Sequence, residues 1–424
     1  MKYIIYVIFL IIIINSELIS DVFYVLNVND AITPATSFYI KNGIDEATAA
    51  KSKAIIIKLN TPGGLLDATR DIVNHIFDSE IPVIVYVAPS GGRAGSAGVF
   101  ITMAGHISAM APGTNIGAAH PVGLDGSSDS TVLGQKIEND AAAFIRSIAQ
   151  KRNKNADWAE RAVRNSESIT EDEALNMNVI DFISTNLDDL LNQINGKTVK
   201  LKSGKEITFN VKNYNLIYRD KNIKEELLTM LSNPNLLYIL ILIGIWGIIY
   251  EFKSPGAIYP GAIGAFSLLV AAYSMQLLPV NYLGIALIFL ALILFLLEIF
   301  IQSFALLTIG GVISFAIGSL ILIDSPGDFM KISLELIIFS TIMTGAFFGL
   351  IIWLGIKAQK NKKAQIASEM TGIKGYAINS FKIGEKGKVH LNGEIWEAIS
   401  NQDLEKGDEV IVEKIDGFKL IVKK

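Results

Sequence analysis

The sequence predicts three parts of different class: an α/β domain on a mostly parallel sheet, a multi-span α-helical membrane domain, and an all-β barrel at the C-terminus. The first observation behind this is where the charge lies. Of the 424 residues 18% are charged and 51% hydrophobic, with mean hydropathy +0.42. Between positions 235 and 356 only seven residues carry charge: Glu251, Lys253, Glu298, Asp324, Asp328, Lys331 and Glu335. That is about 6%, whereas the rest of the chain holds about 24%, the ordinary soluble level. One solvent does not suit both compositions, so a single soluble globule is excluded. The second observation is the alternation of short apolar runs with helix-like stretches between residues 23 and 213. The third is a pair of turn signals near the C-terminus, Asn392-Gly393 and Asp416-Gly417.

In chain order, Met1 and Lys2 precede an apolar run from Tyr3 to Ile14. About a dozen apolar residues fall short of the roughly 20 that a span needs, so residues 1–20 read as a signal peptide or N-terminal anchor. Runs 23–28, 54–59, 83–87 and 106–110 read as buried strands, and 65–77, 134–150 and 156–164 as helices. Such alternation implies βαβ units, whose loops at the strand C-termini are the default place for a site. The domain is bounded at 21–213, with 214–234 as a linker. Five candidate spans follow, at 235–252, 257–278, 282–301, 303–323 and 332–356, punctuated by Pro255-Gly256, Pro279 and Ser325-Pro326-Gly327. The glycine content of 303–323 leaves the count at four or five. Lys357, Lys360, Lys362 and Lys363 make 357–370 a basic linker that marks the cytoplasmic side; an exported N-domain and five spans agree with that. In the tail, 371–424, strands 388–391, 394–400, 410–414 and 418–422 flank the Asn-Gly and Asp-Gly pairs, whose type I′ turns need positive φ. Hairpins of this size suggest a small barrel.

Composition also excludes functions. A net charge of −4 without a basic domain argues against nucleic acid as a partner. With no cysteine there is no disulfide, Cys-ligated zinc or thiol nucleophile, and four histidines leave little for a metal site. Neither a metal nor a cofactor is expected.

Two glycine-rich segments stand where a site should be. Asn60-Thr61-Pro62-Gly63-Gly64 directly follows the strand 54–59, and its paired glycines allow backbone N–H groups to approach an oxyanion. The bland reading is a tight strand–helix turn. Gly91-Gly92-Arg93-Ala94-Gly95-Ser96-Ala97-Gly98 follows the strand 83–87, and small neighbours let the Ser96 hydroxyl protrude at a helix N-terminus beside the Ala97 N–H. Alone, such a serine reads first as a helix cap; with the Gly63-Gly64 turn one βα unit earlier, the catalytic reading draws level with it. A serine needs a base. Lys136 qualifies only if neutral, which requires burial or a neighbouring charge. His120 titrates in the right range by nature, and Asp125 and Asp129 could orient it.

Thr61-Pro62-Gly63-Gly64, Arg93-Ala94-Gly95-Ser96-Ala97-Gly98, Thr114-Asn115-Ile116-Gly117-Ala118 and Lys136, in that order and spacing, resemble the long form of the NfeD family. These are membrane-bound serine proteases with a Clp-like, crotonase-related N-domain, a membrane domain and an OB-fold C-terminal domain, and the resemblance covers nearly the whole chain. It implies Ser96 as nucleophile and Lys136 as general base, with Gly63, Gly64 and Ala97 forming the oxyanion hole. His120, 24 residues after Ser96, matches the base position of soluble Clp proteases and stays as the alternative. The implied substrates are hydrophobic peptide segments, and the implied partner is a stomatin- or flotillin-like membrane protein. A homodimer or larger assembly is implied too. The protease domain is then extracytoplasmic and the C-terminal domain cytoplasmic.

Two other classes compete. In one the chain is a non-catalytic membrane scaffold for such partners, which the presence of both glycines, Ser96 and Lys136 disfavours. In the other the α/β domain performs acyl-CoA chemistry, which an export signal disfavours. Glu298, the one carboxylate inside the third span, is read as structural rather than as part of a pathway.

Overall fold

The computed structural model describes residues 21–121, 132–253, 256, 258–301, 305–325, 330–416 and 419–424. The N-terminal apolar run lies outside them, as do Asp125 and Asp129. The chain divides into two units, one of residues up to Leu292 with Ser314–Phe339, the other of Ile293–Ile313 with Ser340–Lys424.

The first unit begins with β1 (Asp21–Val28), α1 (Pro34–Ala49), β2 (Ala54–Leu59), α2 (Leu66–Asp78) and β3 (Val83–Val87). Thr33 caps α1 and Pro34 opens it, a pairing that suits a helix start. There follow β4 (Arg93–Ala94), α3 (Ala97–Ala104), β5 (Ile107–Met110), β6 (Asn115–Gly117), α4 (Val132–Lys151), α5 (Ala156–Arg164), β7 (Ser168–Thr170), α6 (Glu171–Asn176), β8 (Phe182–Ile183) and α7 (Leu187–Ile194). The domain closes with β9 (Thr198–Lys200), β10 (Glu206–Thr208), β11 (Tyr214–Arg219) and α8 (Ile223–Leu231).

Six strands form one parallel sheet in the order β11-β1-β2-β3-β5-β8. The central β3, Val-Ile-Val-Tyr-Val, is buried throughout, as a strand covered on both faces must be. Its alternate side chains feed two cores. Val83, Val85 and Val87 join Ile72, Ile101, Ile145 and Trp158 on one face. Ile84 and Tyr86 join Phe23, Leu190 and Ile194 on the other.

Two boundaries differ from expectation. Residues 214–234 are not a linker: β11 pairs with β1 from Asp21↔Tyr214 to Leu26↔Arg219, and α8 follows. Tyr214, Ile217 and Tyr218 favour a strand, but its partner among the described residues lies almost two hundred residues upstream, so local sequence does not place it in this sheet. The basic stretch 357–370 likewise continues a helix, because its lysines, alanines and glutamines are good helix formers.

Five apolar helices occupy the middle of the chain: α9 (Pro234–Lys253), α10 (Tyr259–Ser274), α11 (Tyr282–Phe300), α12 (Leu306–Ile321) and α13 (Leu334–Met370). Segments of the first and last, Pro234–Phe252 and Leu334–Ile351, are long and apolar enough to cross a bilayer by themselves; the apolar stretches Tyr259–Ser274, Tyr282–Glu298 and Leu306–Ile321 are shorter. In the first unit Gly247 and Gly264 bring α9 and α10 into close backbone contact, as small residues do in lipid. Tyr238 and Ser319 share a buried hydroxyl pair at 2.9 Å. In the second unit Glu298 is buried and accepts from the N–H groups of Ala305 and Thr308, at 3.3 and 3.0 Å. It thus closes the N-terminus of α12, which accounts structurally for a carboxylate in an apolar helix.

The second unit ends in a closed five-stranded barrel, β12 (Lys374–Ala377), β13 (Lys386–Leu391), β14 (Glu394–Ser400), β15 (Glu409–Asp416) and β16 (Lys419–Lys423), in the order β12-β13-β14-β16-β15. Asn392 and Gly393 take the positive φ values, 46° and 86°, that the hairpin requires.

Candidate active site

Three loop segments converge at the C-terminal edge of the sheet. Thr61 N–H donates to the Arg93 carbonyl at 2.8 Å, and Gly95 N–H donates back to the Thr61 carbonyl at 3.0 Å. These bonds join the turn after β2 to the segment after β3. β4 in turn pairs with β6, and Ser96 N–H donates to the Ala118 carbonyl at 2.7 Å. Asn60 fixes the junction, with Oδ1 accepting from Arg93 N–H at 3.0 Å.

Ser96 sits at the head of α3 with φ 45° and ψ −107°. A non-glycine residue held there costs on the order of 1–3 kcal/mol, which only a surrounding network can sustain. The half-buried side chain makes no capping bond to its helix, so the hydroxyl is not spent as a cap. Gly63 lies against it: a Cβ built on Gly63 would stand 2.7 Å from Ser96 Cβ and 3.3 Å from its Oγ. Gly63 also has φ +130°, so both its conformation and its contact require glycine. The Gly64 position is closed to any Cβ by the Ile32 backbone, which pairs with this turn through Ile32 N–H to the Gly63 carbonyl at 2.8 Å.

The amides beside this contact differ. Gly63 N–H donates to Thr61 Oγ1 at 3.1 Å and is engaged. Gly64 N–H and Ala97 N–H have no hydrogen-bond partner among the described residues. Two free donors therefore flank the Ser96–Gly63 contact. The sequence marked Asn60 and Thr61 as part of the glycine-rich segment without giving them a role, and gave no signal for Ile32.

The candidate bases are placed less tightly. His120 is half-buried, and its Nδ1 lies 2.7 Å from the Val163 carbonyl. That bond sets the tautomer, with Nδ1 as donor, and leaves Nε2 as a proton acceptor. Lys136 is exposed in the second turn of α4. No hydrogen bond joins Ser96 Oγ to Lys136 or His120 among the described residues. Lys136 nevertheless belongs to the Ser96 end of the domain. Phe144 stacks on Phe100 at 5.6 Å and Arg152 Nε donates to the Ala104 carbonyl at 2.7 Å, so α4 and α3 run the same way. Tracing α4 back from Phe144 to Lys136 moves about 12 Å toward the end of α3 that carries Ser96. Arg70, in the helix that follows the Gly63-Gly64 turn, meets Asp140 one turn beyond Lys136.

The opposite edge of the sheet holds a group of perturbed charges. His106, just before β5, accepts from Val83 N–H through Nδ1 at 3.2 Å. Burial, reinforced by Arg152 and Lys151, pushes its pKa down to about 3. Beside it the buried Lys154 ammonium pairs with Asp181 at 2.6 Å. Burial lowers the Lys154 pKa, against the pull of Asp181. Among the described residues no group of acidic, histidine or cysteine side chains could hold a metal ion.

Comparison with known proteins agrees with this three-part organisation. Residues 22–203 match the N-terminal domain of NfeD1b, 235–354 the NfeD integral membrane domain, and 367–424 the NfeD-like C-terminal, partner-binding domain. The chain is 34% identical over 417 residues to the membrane-bound protease PH1510 of Pyrococcus horikoshii, covering 96% of this chain and 94% of that one. It is 27% identical over 439 aligned positions to the membrane protein NfeD1b of Bacillus subtilis, again covering 96% and 94%. A solved structure of 1510-N, a membrane protease specific for a stomatin homolog from Pyrococcus horikoshii, is 34% identical, with TM-score 0.45 over 50% of this chain and all of that one.

Proposed function

The chain belongs to the NfeD family, and from that premise we propose that it is a membrane-bound serine endopeptidase. Its substrates are apolar peptide segments, in particular those of a stomatin- or flotillin-like partner, with a Clp-like N-domain as the protease. The observation that carries this reading is the contact of Gly63 with a strained Ser96, flanked by two amides without partners. Strain at a serine that heads a helix and makes no capping bond is hard to explain as packing alone. The curated relatives include a membrane-bound protease that matches the chain almost end to end.

In this mechanism Ser96 Oγ attacks the scissile carbonyl while Lys136 accepts the hydroxyl proton. The tetrahedral oxyanion takes hydrogen bonds from Gly64 and Ala97, with Gly63 shaping the wall rather than donating. Lys136 then returns the proton to the departing amine, and water hydrolyses the acyl-Ser96 ester. A lysine is a base only when neutral; an apolar substrate lying over the site strips its water and favours that form. His120 Nε2 is the alternative proton acceptor.

The partner docks on the OB-like barrel, which belongs to the domain that the family describes as partner-binding. An odd number of crossings, five, with the lysines of 357–370 inside, leaves the protease domain extracytoplasmic. The test is active-site labelling of the full chain with a fluorophosphonate. Labelling is expected in the parent and absent in Ser96→Ala. Labelling that survives Lys136→Ala but fails in His120→Ala moves the base to His120. A parent that takes no label leaves the scaffold reading in place.

A further inference from the structure

The short helix α8 is the route by which the chain leaves the α/β domain, and it has two unlike faces. Glu225 is fully buried (0% exposed) within a charged cluster. Arg219 spans it, bonding Glu225 through both terminal nitrogens at 2.8 Å and Glu46 of α1 at 2.7 and 2.8 Å. Asn42 also donates to Glu225 at 2.7 Å, and the Arg219 carbonyl accepts from Tyr39 at 2.7 Å. α8 is thereby locked to β11 and α1. On the other side Ile223, Leu227 and Met230 are 80%, 54% and 52% exposed. At 3.6 residues per turn these three form one stripe, half a turn away from Glu225.

The position of α8 says what meets that stripe. It ends at Leu231, four residues before the match to the integral membrane domain begins at 235. Ser274, at the end of α10, donates its hydroxyl to the Leu231 carbonyl, so the helix terminus is tied to the rim of the membrane helices. Nine residues of helix span about 13 Å, and the headgroup layer is several ångströms deep on each side. α8 also leaves from a particular edge of the sheet. β11 is parallel to β1, and Arg219 is level with Leu26 near the strand C-termini. That is the edge bearing Gly63 and Ser96. The connection is continuous: Lys221 pairs with Asp30 at 2.9 Å, and Ile32, two residues on, holds the Gly63 turn.

We propose that α8 is an interfacial helix, its Ile223, Leu227 and Met230 seated among lipid headgroups, and that it holds the Ser96 edge of the domain toward the bilayer. The substrate class is then sharpened to segments lying beside the membrane surface. The lipid contact stands on the geometry of α8 alone, whereas the statement about substrate rests on Ser96 being the catalytic serine.

The chain contains no cysteine, so single-site labelling is direct. Ile223→Cys, Leu227→Cys, Met230→Cys and, as an aqueous control, Lys41→Cys on α1 are labelled with a fluorophore in the full chain and reconstituted in phosphatidylcholine vesicles. A nitroxide carried near the lipid headgroup is expected to quench the three stripe labels, and aqueous iodide only the label at position 41. Equal iodide quenching at all four positions overturns the proposal. So does shielding from both quenchers together with disulfide cross-linking of unlabelled Leu227→Cys between chains, which assigns the stripe to a second copy. In a separate arm, Leu227→Asp with Met230→Asp is expected to slow cleavage of a membrane-inserted substrate about tenfold while sparing a short soluble peptide. Equal loss on both substrates removes the statement about substrate position. If the parent cleaves neither, the protease reading fails, and the quenching result still decides the lipid contact.

Discussion

The two edges of the parallel sheet both gather polar groups, and they are built on opposite principles. At the N-terminal edge His106, Arg152, Lys154 and Asp181 are drawn into the protein, and the lysine and aspartate neutralise each other at 2.6 Å. Asp181 is used twice, since its other oxygen accepts from Ser108 N–H at 2.8 Å. The C-terminal edge carries the charged Arg219–Glu46–Glu225 cluster at one end, and beside the candidate serine it is the backbone that is out of the ordinary: Ser96 is at positive φ, Gly63 touches it, and two amides are free. Perturbed titration is a common pointer to function, and the perturbed His106 and Lys154 lie at the edge away from Ser96. Positive φ at a non-glycine residue occurs at both edges, at Lys51, Asn153 and Asn178 as well as Ser96; what sets Ser96 apart is the Gly63 contact and the two free amides beside it.

If that contrast is right, the largest effect belongs to a single methyl group at the C-terminal edge. Gly63→Ala places a Cβ 2.7 Å from Ser96 Cβ at a φ of +130°, so the serine must move or the turn must open. A displacement of an ångström at a reacting group costs about 10²-fold. Fluorophosphonate labelling of Ser96 should slow by that order while the far-ultraviolet circular dichroism stays unchanged. Unchanged labelling would mean that the contact is mere packing.

The N-terminal edge should answer in stability and not in activity. Asp181→Asn strips Lys154, whose side chain is 4% exposed, of its counter-charge. Breaking a fully buried pair costs about 3–5 kcal/mol, and the partial exposure of Asp181 reduces this to about 2 kcal/mol. For a domain of this size that is a fall of about 4–8 °C in melting temperature. Ser96 labelling at 20 °C should match the parent. A variant that labels poorly yet melts normally would erase the distinction between the two edges.

How legible these edges were in the sequence follows from the range of the forces involved. The runs 54–59 and 83–87 read correctly because burial on both faces makes their apolar content continuous. Helix 156–164 read correctly because its apolar positions recur at helical spacing. At the site, glycine and serine were visible as residue types. Which amides are free was not, because the Thr61 hydroxyl that occupies Gly63 N–H acts only once the turn has closed. The edge strand β11 was missed for the same reason as the Arg219 cluster: its place in the sheet comes from β1, far away in the sequence. His106 read as one histidine among four, since its surroundings come from α4 and β3.

The smallest expected effect is a pH slope assigned to that one ring. His106 stays neutral in the folded chain down to about pH 3, whereas in the unfolded chain a histidine takes up its proton near about 6.5. Between those values the unfolded state binds the extra proton. The stabilising contribution is therefore complete above about pH 6.5 and is lost as the pH falls below it, by up to about 1.4 kcal/mol per unit. His106→Asn keeps an acceptor for Val83 N–H but does not titrate. Hydrogen-exchange protection of β3 and β5, measured in the full chain between pH 6.5 and 5, should decline in the parent and flatten in the variant. The comparison cancels the other three histidines and the carboxylates, which both proteins share. Identical slopes would show that water reaches the ring, and that this edge is less closed than its partnered ions suggest.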